Sequence, residues 1–108
     1  MNRTFTLNFE DPMENEVTIL ESQIITIRYS IYYKLNIYLR DGYTYHIKPT
    51  SEPYLGDPEL IKKSIFEGYQ ILKAFLNNTS TINECTFEDY TDIYLLKDGE
   101  YISMDCEK

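Results

Sequence analysis

The chain has 108 residues, 43% of them hydrophobic, and a formal net charge of −8. That length and composition exclude a disordered chain and fit one domain, 1–108, with its own core. The charge disfavours nonspecific nucleic-acid binding, which needs cations to displace phosphate counterions, and an anionic membrane surface would repel it; a basic protein surface would attract it.

Two cysteines, Cys85 and Cys106, are present and no positively charged apolar leader opens the chain. Free thiols in a reducing cytoplasm are therefore expected. No apolar run approaches the roughly 20 residues of a membrane span.

Thr4 to Phe9 alternates, with Phe5, Leu7 and Phe9 on one side, and reads as a strand. Glu10-Asp11-Pro12 breaks it, and an acidic loop leads to a short strand from Val17 to Leu20. From Gln23 to Leu39 every odd position from Ile25 onward is apolar. This is one long bent strand or two strands in series, with the odd residues expected in the core.

Asp41-Gly42 then marks a hairpin. A three-residue loop, Arg40-Asp41-Gly42, pairs Ile37 with Tyr45 and Leu35 with Ile47 and keeps one face apolar. After a linker punctuated by Pro49, Pro53, Gly56 and Pro58, Asp57 offers an N-cap and Pro58 suits the first helical position. Ile61, Ile65, Tyr69, Leu72 and Leu76 form a helical stripe that ends at Asn77-Asn78. Gly68 within it would let the helix approach the sheet closely. Thr79 to Thr91 reads as a polar, acidic loop with at most a helical turn, and a second hairpin with a two-residue Asp98-Gly99 turn follows. It pairs Lys97 with Glu100, Leu95 with Ile102 and Ile93 with Met104. The fold class is α+β: a mainly antiparallel sheet of about five or six strands packed on one long α-helix.

No catalytic signature appears. His46, the sole histidine, falls on the polar side of its hairpin opposite Asn36 and reads as a surface residue. The spacing of Cys85 and Cys106 lacks a histidine partner for zinc, the acids do not match a calcium loop, and no phosphate-cradling glycine loop is present. No enzyme activity, cofactor or metal is expected.

The charge is uneven. Residues 1–21 hold five acids and one base, 22–83 five acids and seven bases, and 84–108 eight acids and two bases. In Glu84, Phe87, Glu88, Asp89, Tyr90 and Asp92, carboxylates alternate with rings. Carboxylates can stand where phosphates would, so these six are the candidate partner-binding residues. Alternatively they form a solvated loop whose Phe87 and Tyr90 anchor it to the core.

The hairpin Leu35 to Ile47, the helix from Asp57 and the stretch Phe87-Glu88-Asp89-Tyr90 resemble in style the small acidic anti-CRISPR proteins of phages of low-GC bacteria. Small toxin-immunity proteins share that style. The resemblance implies a phage-encoded inhibitor that blocks a basic nuclease or CRISPR effector by stoichiometric occlusion, without touching nucleic acid itself, in the host cytoplasm. The competing expectation is a structural or assembly protein, a possible homodimer, that self-associates through its tyrosine-rich sheet, with Tyr32 and Tyr38 on the polar side of the long run.

Overall fold

A computed structural model describes residues 3–10, 16–50, 57–97 and 100–103. It is an α+β fold with one helix and, among the described residues, eight strands. They form two sheets where the sequence suggested one. The first has the order β2-β1-β6, from Glu16–Leu20, Thr4–Phe9 and Glu84–Phe87. The second has the order β3-β4-β5-β7-β8, from Ile24–Tyr29, Leu35–Leu39, Tyr43–Pro49, Thr91–Lys97 and Glu100–Ser103. Every neighbouring pair is antiparallel except β1 and β6, which run parallel.

The helix α1, Pro58–Leu76, starts where its capping chemistry requires. Asp57 Oδ1 accepts from the N–H groups of Glu59 and Leu60, and Pro58 supplies a first residue that needs no partner for an N–H. At the other end Asn78 turns left-handed, with φ 61°. The N–H of Asn78 then bonds Phe75 O and that of Thr79 bonds Ala74 O, the paired closure that satisfies the last carbonyls.

The helix buries Ile61, Ile65 and Leu72 from the expected stripe, with Tyr69 and Leu76 half-buried. Phe5, Leu7, Phe9 and Phe87 of the small sheet and Leu35, Ile37 and Ile47 of the large one meet these residues in a single cluster. One side of α1 faces β6 through Ser64 and Gly68. The other side faces β3, where Tyr29 packs against Phe66 and Tyr69.

The hairpin between β4 and β5 has the expected register, Leu35 with Ile47 and Ile37 with Tyr45, and Gly42 takes φ 93° in its loop. The last hairpin pairs Lys97 with Glu100 and Leu95 with Ile102, as read from the sequence. Its turn, Asp98-Gly99, and the pairing of Ile93 with Met104 lie outside the described residues, as do Cys106 and the end of the tail.

The run from Gln23 to Leu39 takes the second of its two expected forms, two strands in series, joined by a tight loop in which Ser30 N–H bonds Lys34 O and Tyr33 N–H bonds Ser30 O. Four expectations need correction. Ile31 and Tyr33 sit in that loop, and Ile31 is 81% exposed although its position continues the apolar alternation. A register shift between Ile24 and Thr26 also turns Ile25 out of the core, leaving it 57% exposed. Third, the stretch read as an acidic loop contains β6, whose partner β1 lies far away in the chain. Lastly, His46 is only 7% exposed. It lies opposite Asn36 as expected, but between Asn36 and Tyr94 in the middle of the sheet.

Candidate functional site

The parallel pairing of β1 with β6 assembles the acidic surface. In register, Thr6 lies beside Glu84, Asn8 beside Thr86 and Phe9 beside Phe87. On the other side β2 places Thr18 beside Thr6 and Glu16 beside Asn8. Phe5, Leu7, Phe9, Ile19, Cys85 and Phe87 are buried, so the alternate residues form the outer face. That face carries one row of Thr18, Thr6 and Glu84 and another of Glu16, Asn8 and Thr86. Hydrogen bonds tie the rows across strands: Thr6 Oγ1 to Thr18 Oγ1 at 3.0 Å, and Asn8 Nδ2 to Glu84 Oε1 at 3.2 Å.

Two more acids stand at the end where β1 and β6 finish together. Glu10 N–H donates to Phe87 O at 2.9 Å, which sets Glu10 next to Glu88. Glu88 N–H in turn donates to Ser64 Oγ of α1 at 3.1 Å, and that hydroxyl donates to Ile61 O. The adjoining turn is built by Asp89, whose Oδ1 accepts from Tyr90 N–H at 2.9 Å. Tyr90 is left-handed with φ 66°, its carbonyl accepts from Thr50 N–H, and its ring is exposed.

Among the described residues, none of Glu10, Glu16, Glu84, Glu88 and Asp89 makes an ion pair; Arg3–Glu21 and Lys62–Glu59 are the ion pairs found there. A flat sheet face studded with hydroxyls and uncompensated carboxylates can accept hydrogen bonds from lysine and arginine, as a nucleic-acid backbone does.

The six candidates from the sequence therefore separate. Glu84, Glu88, Asp89 and Tyr90 lie on this face or at its end. Phe87 does not: it is fully buried, stacked on Phe9 with centroids 5.0 Å apart and pressed against Gly68. Its ring belongs to the inner face of β6, and the acids beside it alternate outward. Asp92 belongs to the other sheet, on β7 opposite Lys48, with Tyr94 Oη 3.5 Å from its carboxylate. Glu10 and Glu16 were missed as contributors, because only the pairings of β1 with β6 and β2 bring them to this surface.

Among the described residues no three His, Cys, Asp or Glu side chains converge as a metal site, and no helix is long and apolar enough to cross a membrane. Comparison with family models, with curated proteins and with solved structures yields no match to this chain.

Proposed function

We propose that this chain is a stoichiometric inhibitor, of the phage anti-CRISPR kind, that covers the basic nucleic-acid-binding surface of a nuclease or CRISPR effector and catalyses nothing. The observation that carries the reading is the outer face of β2-β1-β6. There Glu10, Glu16, Glu84 and Glu88 stand around Thr6, Asn8, Thr18 and Thr86 with no ion pair to any described cation. Their charge is left for a partner. Attraction of this type speeds encounter and selects a basic partner, and it weakens as salt rises. Tyr90, exposed at the end of the face, supplies a ring that can stack beside an arginine.

The test is charge reversal at Glu10→Lys, Glu84→Lys and Glu88→Lys together. Asp89 is kept because its side chain holds the turn. Basic proteins retained by the wild type at low salt are identified, and each is offered duplex DNA with and without the inhibitor. The wild type should displace DNA, and the variant, folded and equally stable, should not. A variant that displaces DNA as well as the wild type would remove the basis of this reading.

A further inference from the structure

A second surface, on the opposite flank of α1, has the reverse character. β3 is the outer strand of the five-stranded sheet and, among the described residues, has no strand beyond it. Between it and α1 runs a groove of ≈ 450 Å³ with an apolar wall of Ile24, Ile25, Ile27, Tyr69 and Leu76, and Glu21, Thr26, Lys73 and Asn77 along its rim. Beyond the groove the flank continues as apolar surface: Ile31 and Tyr32 are 81% and 69% exposed, and Phe66 packs at a tilt against Tyr29 while still reaching solvent. Rings of this kind cover about 150–250 Å² each. The flank thus exposes on the order of several hundred Å², the range in which a patch marks an interaction site.

Its fringe is cationic in a chain that is acidic overall. Lys62 lies over the Tyr33 ring at 4.8 Å and Lys73 over the Tyr69 ring at 5.7 Å. Arg28 is exposed on β3 itself, opposite Asn36 on the face turned away from α1. The acids nearby are engaged: Glu21 with Arg3, and Glu59 with Lys62.

From this charge pattern we infer that the β3 edge receives an extended segment of another protein in which apolar and acidic residues alternate. The segment adds to the sheet as a sixth strand. Its backbone bonds the open edge of β3. Its apolar side chains enter the groove between β3 and α1, and its carboxylates, alternating to the other face of the sheet, meet Arg28. The distant acidic face does not forbid this, since charges further apart than about 8 Å are largely screened at physiological salt. This site is independent of the acidic face, and a partner could be held by both.

The probes are two synthetic peptides, one alternating glutamate with valine and one alternating lysine with valine, added to the isotope-labelled full chain. The glutamate peptide should bind saturably and shift the amide signals of residues 24–29 and 66–76. Arg28→Glu should weaken it by about tenfold, because like charges then face each other. Ile25→Asp should do the same from inside the groove. The variant reversed at Glu10, Glu84 and Glu88 should bind this peptide as the wild type does, which separates failure here from failure of the inhibitor reading. Equal binding of the lysine peptide, shifts confined to other residues, or no saturable binding would overturn the inference. So would concentration-dependent dimerisation in sedimentation that shifts the β3 amides without any peptide, since the occupant would then be a second copy.

Discussion

Gly68 and Phe87 compete for one space: a Cβ added to Gly68 would stand 2.7 Å from Phe87 Cε1 and 3.0 Å from Cζ. The ring cannot step aside, because it is fully buried and stacked on Phe9. The contact is what seats α1 on β6, directly beneath the acidic outer face.

The first prediction follows from that contact. In an open helix Gly→Ala gains roughly 1 kcal/mol. Overpacking a filled core costs typically 1–3 kcal/mol. Gly68→Ala should therefore be net destabilising, by about 1 kcal/mol, and lower the melting temperature by several degrees. Adding Phe87→Leu to Gly68→Ala should show favourable coupling in a double-mutant cycle. A Gly68→Ala protein as stable as the wild type would mean that the helix does not sit this close.

The elements with local signals were legible in the sequence. Asp57-Pro58 announced α1, and Gly42 with the alternation around it fixed the loop and register of β4 and β5. Elements whose evidence is remote were not. β6 offers only Cys85 and Phe87 as buried residues, flanked by acids, and its pairing partner β1 has no turn to link it. With β6 unseen, Phe87 read either as a partner-binding ring or as the anchor of a loop to the core, and Glu10 and Glu16 as unrelated loop acids. The place of the break, Ser30 to Lys34, was hidden for a different reason. Its loop contains no Gly or Pro, and Tyr33 supplies the left-handed residue, φ 62°, while Ile31 keeps the apolar rhythm.

A second prediction concerns Arg3. Its guanidinium bonds both oxygens of Glu21, at 2.8 and 2.6 Å, the carbonyl of Phe75 and Oδ1 of Asn78, and lies 4.1 Å over the Phe75 ring. One side chain thus ties the start of β1 to the turn after β2 and to the end of α1. Arg3→Lys keeps the charge but cannot fork between these acceptors, so it should lower the melting temperature. The hydrogen bond from Arg3 holds the Glu21 carboxyl below its ordinary 4.5. Its contribution is therefore present above that pH and is lost as pH falls through the folded value. Glu21→Gln should be less stable than the wild type at neutral pH, and the gap should close in acid. A gap independent of pH would contradict the pairing.

The third prediction concerns Cys85, a free thiol that is 5% exposed on the inner face of β6. Burial, then the neighbouring Glu84 charge, pushes it up to about 12. The reactive species is the thiolate, so the native thiol should be inert at neutral pH. In a Cys106→Ser background, labelling should proceed only as fast as the protein opens and become rapid in denaturant. Because the folded value is raised, stability should hold below 9.0 and decline as pH rises from there toward about 12. Prompt stoichiometric labelling of the native protein would refute the burial.

The last prediction is the most direct to measure, because the chain has one histidine and hence one imidazole signal. His46 Nδ1 lies 2.5 Å from Asn36 Oδ1, so Nδ1–H donates to the amide oxygen. The ring stands in the row Asn36, His46, Tyr94 across the sheet, with Lys48 and Asp92 paired in the next outward row. A charged imidazole there loses hydration and faces Lys34 and Lys48, so its pKa lies below the ordinary 6.5, with burial the larger cause. The folded state therefore favours neutral His46. The stability this confers is present above 6.5 and fades as pH falls through the folded value. Titration followed by NMR should show the ring shift moving only below 6.5. Lys48→Gln should raise the midpoint toward 6.5 by removing one of the two opposing cations. A midpoint at or above 6.5 in the wild type would mean that the ring is open to water. His46 would then be the surface residue that the hairpin pattern first suggested.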